Sequence, residues 1–154
     1  MASFIQIERM RVAISLVMRD VSHELGELHL VVAVGSSEQI SEQINKRFGE
    51  GFDERFRGPF RTTNDILGWV LDSDGNGSGL SGFEGLEWGS FVARVADTLQ
   101  EGIIESVDHW GTAFPVCRAH GVHPMDSAVL DDDAFWVCPK GSGMPIPIGT
   151  LSVA

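Results

Sequence analysis

The spacing of apolar residues predicts three amphipathic helices. In residues 7–25, apolar side chains recur every three or four positions, and Gly26 follows as a left-handed stop. Residues 12–18 also alternate as a strand would, but the glycine stop favours the helix. The same spacing predicts a helix over residues 36–48, begun by a serine cap, and a longer one over residues 88–110.

Strand patterns occupy shorter segments. Residues 28–34 are nearly all apolar, which predicts a strand that is buried on both faces. Residues 125–130 and 134–138 predict a hairpin around the acidic triplet Asp131–Asp133. The prolines within residues 144–151 limit that segment to an edge strand or a loosely attached one.

Irregular structure is predicted for two segments between these elements. Residues 49–64 combine glycine, proline and alternating charge, and the five glycines of residues 72–85 predict a flexible loop. Between the two segments, Asn64 or Asp65 is placed to cap a short helix that ends at Leu71.

Together these elements predict an α+β fold, a small helical domain with one or two buried strands. We expect a helical body over residues 1–110. Packed on it, we expect a C-terminal hairpin over residues 111–154 that resembles a zinc ribbon. The chain has 154 residues, which is long enough to bury a core of its own.

The charge of the chain is acidic and unevenly distributed. The net charge is −11, and residues 62–154 carry 13 acidic and 3 basic residues, a net charge of −10. Such a field repels phosphate backbones, so we expect no nucleic-acid binding. It attracts basic surfaces, so we expect a protein partner with a basic surface. A solvated acidic surface without a partner is the plainer interpretation.

Candidate metal ligands cluster near the end of the chain, where both cysteines lie. Cys117-Arg-Ala-His120-Gly has the spacing of a metal knuckle, in which a tight turn directs two ligands at one ion. A Cys-Pro turn supplies Cys138, while Gly141 stands where the second ligand of that turn would be. Two knuckles around an apolar hairpin are typical of small zinc ribbons.

The identity of the fourth ligand is left open by this spacing. His123, three residues past His120, is the best candidate, and Asp126 and Asp131 are weaker ones. Four protein ligands would close a structural zinc site, whereas three would leave an open position for catalysis. A further interpretation is that the site has lost its metal, and that both cysteines are buried as small apolar residues.

The same region carries a resemblance. Residues 110–124 run Trp-Gly-Thr-Ala-Phe-Pro-Val-Cys-Arg-Ala-His-Gly-Val-His-Pro, and residues 134–139 run Ala-Phe-Trp-Val-Cys-Pro. They resemble the C-terminal end of small actinobacterial-type proteins of no known activity. The resemblance covers residues 110–151, and it implies a coherent C-terminal unit without implying a function.

A calcium site is suggested and then disfavoured by the glycine-rich segment. Residues 72–77 open as an EF-hand loop does, but the closing glutamate, Glu84, comes one place late. Restarting the loop at Asp74 puts Glu84 one place early. Because neither register fits, we expect no calcium site.

The sequence carries no phosphate loop, dinucleotide fingerprint or nucleophile elbow. We therefore expect a non-catalytic accessory or assembly component that binds another protein. A small metal-dependent hydrolase is the main alternative, and a metal sensor is a third. No convincing signal peptide or long apolar run is present, which favours a cytoplasmic, thiol-reducing setting without a membrane span. The oligomeric state is not indicated.

Overall fold

The computed structural model describes residues 3–56 and 66–154. Within these ranges the chain forms three α-helices: α1 Phe4–Leu25, α2 Ser37–Phe48 and α3 Trp88–Ile104. It also forms six strands: β1 Val31–Val34, β2 Gly68–Leu71, β3 Gly77–Leu80, β4 Asp126–Leu130, β5 Asp133–Val137 and β6 Ile146–Pro147. These strands make two antiparallel sheets, ordered β1-β2-β3 and β4-β5-β6. The α+β class predicted from the sequence is confirmed.

The first two helices follow the sequence prediction closely, because their caps are local. α1 starts three residues earlier than predicted, where the Ser3 side chain accepts a hydrogen bond from the Gln6 amide. It stops at Gly26, whose φ is 71°. α2 starts with a capping box, in which Ser36 and Gln39 each bond the other's backbone. None of the helices in the described ranges is both long and apolar enough to cross a lipid bilayer.

The predicted length of α3 is wrong, since the helix ends at Ile104 and not near residue 110. The Ser106 hydroxyl donates to the carbonyl of Ile103, and the Gly111 amide donates to the carbonyl of Ile104. If the helix continued, these carbonyls would instead accept hydrogen bonds from the amides of residues 107 and 108. Beyond this point Val107 and Trp110 are 52% and 77% exposed, instead of buried on a helix face.

The first sheet corrects two further predictions. Residues 68–71 are a strand and not the end of a helix, and the segment predicted as a glycine loop contains β3. β2 is the central strand, and all four of its residues are buried, so it shows no alternation from which a strand could be predicted. The predicted cap at residues 64 and 65 lies outside the described residues. β1 covers only the last four residues of the predicted strand over 28–34.

The helices and sheets enclose one principal core and one smaller core. The principal core lies between α1, α3 and residues of both sheets, and it includes Trp136, Phe114 and Met125 from the C-terminal region. The smaller core lies between α2 and the first sheet and consists of Ala33, Ile40, Ile44, Ile66, Trp69 and Leu71. Residues from the predicted body and from the predicted C-terminal hairpin therefore share one core.

The predicted C-terminal hairpin is present as β4 and β5, with Leu130 paired to Asp133. Its two-residue tip, Asp131 and Asp132, has φ values of 47° and 70°, as a type I′ turn requires. The tip rests on the first turn of α3. There, a Cβ added at Gly89 would overlap the Asp132 carbonyl.

A buried carboxylate joins α1 to the second sheet and to the end of the chain. Asp20 is fully buried, and its Oδ2 accepts hydrogen bonds from the Trp136 indole at 2.8 Å and from the Gly149 amide at 2.6 Å. Its Oδ1 accepts from the Leu151 amide at 3.0 Å. Three separate segments are thus fixed at one point.

We expect Asp20→Asn to lower the free energy of unfolding by about 2–4 kcal/mol, because the new amide group would face a buried N–H donor. Urea denaturation measures this loss. Asp97→Asn removes the same charge from an exposed position on α3 and should change stability by less than about 0.5 kcal/mol. Equal losses in the two variants would contradict the assigned role of Asp20.

Gly89→Ala should destabilise the protein, although glycine to alanine inside a helix normally stabilises it by about 1 kcal/mol. The added methyl group would overlap the backbone of Asp132, and relieving that overlap should cost about 1–3 kcal/mol. Ser90→Ala, in the same turn, is the matched control and should be neutral or slightly stabilising. A higher melting temperature for Gly89→Ala would show that the hairpin tip does not pack as described.

Candidate metal centre

The first part of the site is a tight hairpin over residues 115–125. The Met125 amide donates to the Pro115 carbonyl, and the Cys117 amide donates to the His123 carbonyl, both at 2.8 Å. This pairing sets Cys117 opposite His123 and leaves His120 in the turn. The turn is closed by the Gly121 amide, which donates to the Cys117 carbonyl at 2.7 Å, with φ at Gly121 of 72°.

The second part of the site is the turn that follows β5. Cys138 comes directly after that strand, and the Gly141 amide donates to the Cys138 carbonyl at 2.9 Å. β4 begins immediately after the first hairpin and pairs with β5. The register of this pair therefore returns the chain to the first hairpin and delivers Cys138 beside it.

The four side chains predicted as ligands converge in the structure. One ligand atom from each of Cys117, His120, His123 and Cys138 lies within 4.8 Å of the other three. His120 Nδ1 is 3.5 Å from each sulfur and 2.9 Å from His123 Nε2. The Cys138 sulfur is 4.0 Å from His123 Nε2. The weaker candidates, Asp126 and Asp131, are not part of this group.

These distances fit a tetrahedral metal ion. With ordinary metal–sulfur and metal–nitrogen bonds, a tetrahedral site separates sulfur from nitrogen by about 3.5 Å and nitrogen from nitrogen by about 3.3 Å. The observed sulfur–nitrogen distances of 3.5, 3.5 and 4.0 Å lie close to that spacing. The nitrogen–nitrogen distance of 2.9 Å is somewhat short. Two thiolates and two imidazoles are a donor set that suits zinc.

The orientation of His123 supports the same interpretation. Its Nδ1 lies 2.8 Å from the Pro124 carbonyl, and a carbonyl oxygen can only accept, so Nδ1 carries the proton. In the neutral imidazole, Nε2 then presents its lone pair to the cluster. Histidines that bind metals usually donate their second ring nitrogen to a carbonyl or carboxylate in this way.

The surroundings of Cys138 favour the thiolate, which is the form that binds metal. Burial raises the pKa of this thiol, whereas backbone hydrogen bonds from Ser142 and Lys140 lower it. The Cys117 side chain and the positive charge of Lys140 lower it further, so the pKa lies below the ordinary value for cysteine. Cys117 itself is buried in the principal core, while His120 is exposed.

A buried glutamine anchors the first hairpin to α3. The Gln100 side-chain amide donates to the Phe114 carbonyl at 2.6 Å and to the Met125 carbonyl at 2.5 Å. These carbonyls lie at the two ends of the hairpin, so a single side chain fixes the base on which Cys117 and His123 stand. The sequence analysis missed Gln100, although its position beside Leu99 on a helix with a wide apolar face was a usable signal.

The glycine-rich segment uses its first acid for a turn. Asp72 Oδ1 accepts from the Asp74 amide at 3.0 Å and from the Asn76 amide at 2.9 Å, which closes the connection between β2 and β3. Among residues 3–56 and 66–154, the group of three or more His, Cys, Asp or Glu side chains that lie close enough to hold one metal ion is the cluster of Cys117, His120, His123 and Cys138.

We expect the purified protein to bind about one zinc ion per chain, and Cys138→Ala or His123→Ala to weaken that binding by at least about 100-fold. Elemental analysis and competition with a chelator measure this. Cobalt(II) in place of zinc should give an absorption band from sulfur-to-metal charge transfer. Both Cys138→Ala and His123→Ala should alter that band. His29→Ala, which changes an exposed histidine outside the cluster, should bind zinc as the parent does. Equal binding by all variants would place the metal elsewhere.

The chain matches no protein-family model, no curated protein and no solved structure. Its function is therefore inferred from the geometry of the Cys/His cluster and from the distribution of charge.

Proposed function

We propose that the protein is a non-catalytic accessory or assembly component that binds another protein. In this proposal, residues 111–154 form a zinc-ribbon-like unit, held by one structural zinc and packed on the helical body of residues 1–110. The convergence of Cys117, His120, His123 and Cys138 carries the proposal. Zinc would add free energy that holds the two turns together, beyond what their packing on the core supplies.

The ligand count favours a structural site over a hydrolase. A catalytic zinc keeps three protein ligands and leaves one position for water or substrate. In the alternative hydrolase, Cys117, His120 and Cys138 would form such a centre. Here His123 Nε2 lies 2.9 Å from His120 Nδ1 and 4.0 Å from the Cys138 sulfur, where a fourth ligand would stand. With all four ligands bound, no position is left for a reacting water.

The charge distribution supports a protein partner with a basic surface. Residues 62–154 have a net charge of −10, and three of their acids, Asp131–Asp133, form the tip of the β4–β5 hairpin and the first residue of β5. Within the described part of the chain, none of these three side chains makes a hydrogen bond or ion pair. The acidic tip of the β4–β5 hairpin therefore suits the electrostatic steering of a basic partner. Cys117 and Cys138 are free thiols, which suits a reducing compartment such as the cytoplasm.

The association rate with the partner should fall as salt is added, because screening lengths shorten to about 8 Å near physiological ionic strength. Changing Asp131, Asp132 and Asp133 together to Asn should slow association at low salt and flatten the salt dependence. Surface plasmon resonance with a partner isolated at low salt measures both effects.

A matched control replaces acids that lie away from the tip, Asp97 and Glu101, with their amides. This control should retain most of the salt dependence, since it leaves the tip unchanged. Association that ignores salt would remove the electrostatic part of the proposal. Tight, salt-sensitive binding of DNA or RNA would contradict the proposed partner class.

A further inference from the structure

Two depressions have Trp88 in common as a lining residue. The smaller one, of about 180 Å³, lies between the first turn of α3 and the β5–β6 pair, and its lining includes Trp88, Asp133 and Phe135. The larger one, of about 340 Å³, follows the first turns of α1, and its lining includes Phe4, Ile5, Val12 and Trp88. We call the residues Phe4, Ile5, Val12, Trp88 and Asp133 the Trp88 surface.

The α1 part of this surface is apolar and open to solvent. Phe4 is 76% exposed, Ile5 is 69% exposed and Val12 is 51% exposed, and all three line the same depression. Single exposed apolar residues are normal, but a contiguous set with a polar rim is typical of protein interaction sites.

The depression beside α3 has the size and chemistry for one cationic side chain. Its volume of about 180 Å³ is smaller than the 300 Å³ or more that small-molecule sites usually offer. Asp133 is the one charged residue in a lining that is otherwise largely apolar and includes Trp88 and Phe135. A lysine or arginine suits this combination, since its stem packs on apolar surface while its charge meets a carboxylate and an aromatic ring.

The basic residues near this surface already have partners within the chain. Arg11 forms an ion pair with Glu8. Arg9, which also lines the depression along α1, donates to the Leu86 carbonyl at 2.9 Å, and its guanidinium lies 4.7 Å from the centre of the Phe91 ring and 5.7 Å from that of the Trp88 ring. The hairpin tip next to Asp133 adds two more carboxylates. The three adjacent carboxylates of residues 131–133 favour a cationic occupant at the Asp133 side of the depression beside α3.

We propose that the Trp88 surface binds a protein segment that carries apolar residues and one lysine or arginine. The cation enters the depression at Asp133, and the apolar side chains cover Phe4, Ile5 and Val12. This inference rests on the proposed function, and it names the part of the molecule that meets the basic partner. A second copy of the chain is a poorer occupant, because two chains of net charge −11 repel each other.

Heteronuclear NMR of the zinc-loaded full chain tests this with defined probes. The first probe is a short peptide of alternating leucine and serine with one central arginine. The second replaces the arginine with glutamate, and the third replaces the leucines with serine. We expect the first peptide alone to shift the Trp88 indole signal and the amides of Gly89 and Asp133.

Variants at exposed positions separate specific binding from general attraction. Asp133→Asn should weaken binding of the arginine peptide about tenfold, as expected for one lost charge-assisted contact. Ile5→Ser should weaken it as well. Asp97→Asn should bind as the parent does, because position 97 lies nine residues after Trp88 and faces the opposite side of α3.

Several results would overturn the inference. The arginine and glutamate peptides could bind equally well, or Asp133→Asn and Asp97→Asn could weaken binding of the arginine peptide equally. The NMR signals of the chain could also fail to shift when the peptide is added. Shifts of the Trp88 signals on dilution without peptide would indicate that a second copy of the chain occupies the surface. The proposed function fails by different results. A partner bound elsewhere on a zinc-holding chain would overturn only the Trp88 surface, whereas a chain that binds the peptide but no zinc would overturn only the structural zinc.

Discussion

The carboxylate of Asp20 is the interaction on which the arrangement of the C-terminal region depends. It is fully buried on α1, and it accepts hydrogen bonds from the Trp136 side chain and from two backbone amides beyond residue 148. A buried charge is tolerated only where donors replace the lost water. The requirement is mutual, because those donors would be unsatisfied without Asp20. Helix α1, strand β5 and the last residues are therefore held in one relative position.

A second buried polar side chain extends this arrangement to the Cys/His cluster. Gln100 fixes the two ends of the first hairpin to α3, and the principal core packs α3 against α1. Cys138 follows the strand that carries Trp136, which Asp20 holds. Both halves of the Cys/His cluster are thus positioned from the helical core. The ligands are brought together by buried hydrogen bonds as well as by any ion that they bind.

The features that the sequence predicts well are the ones set by local chemistry. The apolar spacing and glycine stop of α1, the serine cap of α2 and the β4–β5 hairpin all depend on neighbouring residues. The candidate ligands were also predictable, because Cys117 and His120 have knuckle spacing. The spacing already favoured His123 over Asp126 as the fourth ligand, and the register of the first hairpin adds that His123 lies opposite Cys117.

The features that the sequence does not predict depend on distant partners. β2 is buried on both faces and lacks an alternating pattern, and β3 is recognisable only from the strand that it pairs with. Its Gly77 is required because the Val70 backbone passes too close for a side chain. Asp20 and Gln100 lie on the buried faces of their helices, where an apolar residue is the usual expectation. The hydrogen-bond partners of Asp20 lie at least 116 residues away in the chain, and those of Gln100 lie at least 14 residues away.

The tip of the β4–β5 hairpin implies a compromise between stability and surface chemistry. Asp131 and Asp132 both hold left-handed backbone angles, each at a cost of the order of 1 kcal/mol that Asn-Gly would largely avoid. Three adjacent carboxylates add mutual repulsion. Selection for thermostability alone would replace these residues. An engineered chain with Asn-Gly at the tip would therefore gain stability while losing two of the three adjacent negative charges, and with them part of the attraction that the proposed function assigns to this end of the molecule.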